Sequence, residues 1–71
     1  MLKEIARHVV MTETGKSQVI EYQELNEVRL GRRVEVFPGL KLFKDMNGNY
    51  LNPLPDGGFQ EPTSGRLFKP V

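Results

Sequence analysis

Few side chains in this sequence could do chemistry, and they are not gathered at motif spacing. His8 is the single imidazole, and there is no cysteine to join it around a metal. A zinc site would draw several such ligands together, so His8 reads as a structural or solvated ring on a strand. Glu21, Glu24 and Glu27 recur at a spacing of three. Two of them could form a general acid/base pair, but that spacing on a polar face is what a solvated charge stripe has. Ser17, Thr12 and Thr63 have no base near them in sequence. A catalytic site needs a nucleophile, a base and an orienting group in mutual reach. The expectation is therefore a protein that is not an enzyme, with no catalytic residues, no metal and no cofactor.

Two short patterns imitate ligand-binding loops. Thr14-Gly15-Lys16-Ser17 resembles the end of a phosphate-binding loop, but Val10 stands where the first glycine of that motif belongs. The strand–loop–helix setting that the motif needs is also missing. Asp45, Asn47 and Asn49 match the opening ligands of a calcium loop, with Asp56 at the twelfth position. Tyr50 then occupies the place of the sharp-turn glycine, and Pro53 and Pro55 rule out the exiting helix. Both segments are explained more simply as turns.

The constellation with the most binding potential is basic and aromatic: Arg32, Arg33, Lys41 and Lys44 with Phe43, flanked by Phe37 and Tyr50. Alternation along the chain places Phe43 beside Arg33 and Lys41. Small β-barrels bind single strands in this manner, stacking bases on aromatics and pairing phosphates with cations. The competing reading is that Phe43 is covered by the segment 59–68, which brings Phe59 and Phe68 as packing partners. Burying an aromatic contributes about 1.5–3 kcal/mol, a large gain for a small domain.

The elements that would position these residues are short β-branched and aromatic runs separated by turns. Leu2, Ile5, Ala6 and Val9 follow a helical spacing over two turns, so a short helical turn is one expectation for residues 2–7. From His8 onward the pattern is β. A type II′ hairpin with Gly15 in its first central position would pair Thr14 with Ser17. That register sets Met11 opposite Ile20 and Val9 opposite Tyr22 on an apolar face, with Val10 opposite Glu21 and Thr12 opposite Val19 behind. Tyr22, Leu25 and Val28 could line a short helix over 23–29 ended by Gly31, or belong to a strand running from Glu27 to Phe37 with Gly31 as a bulge. A turn followed by a strand over residues 32–37 is the preferred reading. Residues 33–37 and 40–44 both alternate, and a loop at 37–39 would set Glu35 against Lys41 and Arg33 against Phe43. Pro38 is an awkward residue for that turn. Asn47-Gly48 is a strong hairpin signal joining residues 41–45 to 49–51. Asn52 to Gly58 holds two prolines and two glycines, which forbids a regular element there.

The fold class expected is mainly β: a small antiparallel meander or open barrel of four to five short strands, with a short helical turn and an irregular C-terminal segment. Residues 1–51 would form the core domain and 52–71 a Pro/Gly-rich closing segment. Leu, Ile, Val and Phe make up 21 of 71 residues, enough for a thin core. Domains this small commonly lean on a disulfide, a metal or a partner, and without cysteine the first is excluded. No apolar run approaches a membrane span, and charged residues interrupt the N-terminal apolar pattern, unlike a signal peptide. A cytoplasmic location and no membrane partner are expected. The net charge of +1 divides unevenly: residues 1–28 carry −2 and residues 29–71 carry +3.

These features favour a non-catalytic protein-interaction module, either an accessory or inhibitory subunit or a homodimer. Exposed edge strands would allow docking by strand addition. The alternative is a nucleic-acid-binding module using Arg32, Arg33, Lys41, Phe43 and Lys44.

Overall fold

A computed structural model describes all 71 residues. The chain is a six-stranded antiparallel meander closed into a barrel: β1 (Leu2–Thr12), β2 (Gly15–Leu30), β3 (Arg33–Lys44), β4 (Tyr50–Pro53), β5 (Phe59–Gln60) and β6 (Leu67–Pro70). The mainly β, antiparallel class stands. Closure comes from β6 returning to β1, where Val10 lies opposite Pro70 and Met11 opposite Lys69. Closure is confined to one end: Leu2–Val9 of β1 and Arg33–Leu42 of β3 have no strand on their outer edges.

Several local expectations are corrected. Residues 2–7 and 23–29 are strand, not helix. The i, i+3 apolar spacing was misleading because β1 and β2 carry apolar residues on both faces, so no single period dominates. The first hairpin turns at Glu13-Thr14, with Thr12 paired to Gly15, Met11 to Lys16 and His8 to Val19. The register has slid from the expected one, although Val9, Met11, Ile20 and Tyr22 still share a face. Barrel closure decides it, because Val10 must meet both Ser17 and Pro70. The Thr12 hydroxyl fixes the turn, accepting from the Thr14 amide at 3.2 Å and donating to the Gly15 carbonyl at 3.0 Å.

The expected loop at 37–39 does not form either. β3 runs unbroken through Pro38 and Gly39 and pairs with β2 along its length. Glu35 therefore faces Val28, Arg33 faces Leu30 and Lys41 faces Gln23, replacing the Glu35–Lys41 and Arg33–Phe43 pairs. The true β2–β3 turn lies at Gly31-Arg32, where Gly31 has φ 66°, a left-handed conformation that glycine adopts without a Cβ penalty. Asn47-Gly48 does connect two strands, but within a wider loop from Asp45 to Asn49.

The core lies between the short strands and the base of the long ones. Val10, Val19, Leu51, Phe59 and Phe68 form one buried cluster, with Phe43 packed against it. The segment after Asn52 contributes Phe59 and Phe68 through β5 and β6, so the Pro/Gly-rich stretch closes the barrel. Its tightest point is Gly58, where an added Cβ would lie 2.6 Å from the Phe68 carbonyl oxygen and 3.2 Å from Pro70 Cδ. The backbone would have to move. Gly58→Ala should therefore cost about 1–3 kcal/mol in urea unfolding, and an unchanged midpoint would show that β5 and β6 are not held as described.

Candidate interaction surface

β2 and β3 are far longer than the barrel needs. Beyond Gln23 and Lys41 they continue as a two-stranded arm of six pairs, from Leu25–Pro38 to Leu30–Arg33. At about 3.3 Å per residue the arm extends for roughly 20 Å, and it accounts for the elongated 52 × 23 × 21 Å shape. A bulge marks its root. The register shifts between Gln23 and Leu25, with Gly39 and Leu40 of β3 opposite Glu24 alone. The shift brings Val34 and Val36 to the side that Lys41 and Phe43 occupy in the barrel.

The arm is apolar on both sides and covered on neither. Val28, Leu30 and Phe37 point to one face, Val34 and Val36 to the other, and each is 40–54% exposed. Leu40 at the bulge is 72% exposed. Isolated two-stranded hairpins are marginal in water, and contiguous exposed apolar surface marks contact sites more often than free surface.

The five residues of the basic and aromatic constellation occupy three places. Arg32 and Arg33 lie at the arm tip, Arg33 with Nη2 3.6 Å from Glu35 Oε1. Lys41 and Phe43 belong to the barrel. Lys41 Nζ is 3.6 Å from Glu21 Oε2, and the Phe43 ring centroid is 5.0 Å from that of Phe59. Lys44 turns to the opposite face, over the rings of Tyr22 and Tyr50 at 5.4 and 4.8 Å. Arg33 and Phe43 are ten residues apart on one strand, about 33 Å at strand rise. The arm tip and the Phe43 ring thus do not form one platform.

His8 and Glu21, which sequence spacing did not link, meet at the barrel mouth. His8 Nε2 is 2.8 Å from Glu21 Oε1. A carboxylate can only accept, so the imidazole donates from Nε2. The His8 ring lies against Phe43 and Phe59, with centroids 6.3 and 5.9 Å away. Glu21 thus sits between an imidazole and the Lys41 ammonium and closes the apolar lining with a polar lid. Asp45 likewise faces inward. Its Oδ1 accepts from the amides of Asn47 and Asn49 at 2.9 Å, and Oδ2 accepts from Asn49 Nδ2 at 3.1 Å. The carboxylate that imitated a calcium ligand holds its own loop.

No protein-family model, curated protein or solved structure matches the chain. No helix is long and apolar enough to cross a membrane.

Proposed function

We propose that this protein is a non-catalytic interaction module, a barrel that carries the β2–β3 arm into contact with another protein chain. The observation behind this reading is the arm itself: six pairs of strand projecting from the barrel, with apolar side chains on both faces and an unpaired edge on each side. A barrel needs none of it for its core, since every residue of the buried cluster lies outside residues 25–38. Exposed strand edges bind by adding a strand, with backbone hydrogen bonds giving affinity and alternate side chains giving selectivity.

The test separates arm from barrel. Replacing residues 27–36 by Asn-Gly would let Asn26 and Phe37 close a two-residue hairpin and leave the core intact. The parent chain should run above the mass of one 8.1 kDa chain, as an oligomer or with a bound protein. The trimmed variant should keep its barrel fold and run as a monomer alone. A parent chain that is always bare and monomeric, or a trimmed variant that still associates, would defeat the reading.

A further inference from the structure

The two edges of the arm are not equivalent, and the difference identifies a partner. Leu25 exchanges both backbone hydrogen bonds with Met1, at 2.7 and 3.1 Å. Its N–H and C=O therefore point away from β3. By strand alternation the backbone groups of Glu27 and Arg29 point the same way, to an edge that no strand covers. It also follows that Leu25–Pro38 is a non-hydrogen-bonded pair, so the missing N–H of Pro38 falls on the outer edge of β3. Proline there blunts an edge against pairing. A two-fold axis at Glu35 on that edge would also set two like charges opposite each other. The β2 edge of the arm has no proline, and an axis at Val28, the residue paired with Glu35, sets no like charges opposite each other.

We propose that the arm pairs with the arm of a second copy of this chain, antiparallel along the β2 edge, about a two-fold axis at Val28; this rests on the interaction-module reading above. Charge selects that register; in it the partner's Gly31 comes level with Leu25, so Met1, which is 81% exposed, gives up its two bonds there. Centred on Val28, Glu27 of one copy lies opposite Arg29 of the other, and the reverse. Each such pair exchanges two backbone bonds, and all the outward N–H and C=O groups of Glu27 and Arg29 are satisfied. Their side chains meet as opposite charges directly across the ladder, a favourable arrangement. Neither side chain makes an ion pair within its own chain. Registers centred on Glu27 or Arg29 would place like charges together at the axis. The Val28 register instead brings two valines together there, and the interface is isologous, as in most homodimers. The result is a four-stranded sheet in which the Val28 and Leu30 side chains of both copies share one face.

Charge exchange tests the register. Glu27→Arg should weaken dimerisation roughly tenfold or more, because two attractive pairs become repulsive. Arg29→Glu should do the same. Mixing the two variants should restore a one-to-one heterodimer, seen by native mass spectrometry, and the double exchange E27R/R29E should dimerise again. Amide exchange at Glu27 and Arg29 should slow as protein concentration rises. Neither residue touches the core, so barrel amide resonances should not move. A parent chain that is monomeric at its highest soluble concentration, or a dimer that both single variants leave unweakened, would overturn the proposal. If the chain is monomeric yet loses a bound protein when its arm is trimmed, self-pairing fails and the interaction-module reading survives. If trimming changes nothing, both fail.

Discussion

Phe68→Ala should cost about 3–5 kcal/mol, the range for truncating a buried phenylalanine. A chain of this length has roughly 4–10 kcal/mol of stability in total, so much of the variant should be unfolded or close to it. Phe68 is 2% exposed and belongs to the cluster with Val10, Val19, Leu51 and Phe59. It also lies opposite Phe59 across the β5–β6 ladder, which has only two residue pairs. Removing the ring opens a cavity and loosens the strand that returns to β1. Urea unfolding measures the loss, with Phe37→Ala as the contrast. Phe37 is 46% exposed on the arm, and its truncation should change monomer stability by no more than about 0.5 kcal/mol. Equal effects at the two positions would contradict the division into core and arm.

The second large effect should come from Asp45→Ala. Asp45 is 4% exposed, and its carboxylate accepts three hydrogen bonds from Asn47 and Asn49. Truncation leaves two loop amides without their acceptor, at about 1–3 kcal/mol for each donor that water does not reach. A loss of about 2–4 kcal/mol is expected. Asp45→Asn should fall between, since it keeps the Oδ1 acceptor but turns an amide nitrogen toward Asn49 Nδ2. Adding Asn49→Asp to that variant supplies an acceptor again and should recover part of the loss in a double-mutant cycle. A change below about 0.5 kcal/mol for Asp45→Ala would mean the loop closes without its carboxylate. The effect is large because β3 and β4 pair only through Phe43–Leu51 and Lys44–Tyr50, so the loop carries much of that junction.

The sequence makes the antiparallel β class legible, and it names Phe59 and Phe68 as neighbours for Phe43, because aromatic and β-branched residues have few other places to go in a small domain. Register was not legible. Local matching of Met11 with Ile20 is as good as the real pairing, and only β6, more than fifty residues downstream of β1's midpoint, selects between them. Pro38-Gly39 looked like a turn because breakers usually are. Here the proline falls where its missing donor is harmless, and the glycine sits where a Cβ would come within 2.7 Å of the Asn26 and Glu24 side chains. The arm itself was hidden for a related reason. Apolar strand residues look alike whether they fill a core or stand in solvent, and Tyr22, Leu25 and Val28 also happen to fit a helical spacing. The basic and aromatic residues were readable as types, but their separation along β3 depends on that strand not folding back. The Glu27–Val28–Arg29 edge carries its complementarity in three adjacent residues, yet it has meaning only once the unpaired side of β2 is known.

The bulge at Gly39-Leu40 frees the length of the arm from the geometry of the barrel. A two-residue turn at Gly31-Arg32 sets one strand alignment and the core residues set another. The single extra residue in β3 reconciles them at the root. Insertions or deletions of two residues in each arm strand would keep a hydrogen-bonded pair at the turn and every side chain on its face, and change the reach by about 6.6 Å per step. The arm can thus serve as a ruler, adjustable over generations without refolding what it is mounted on.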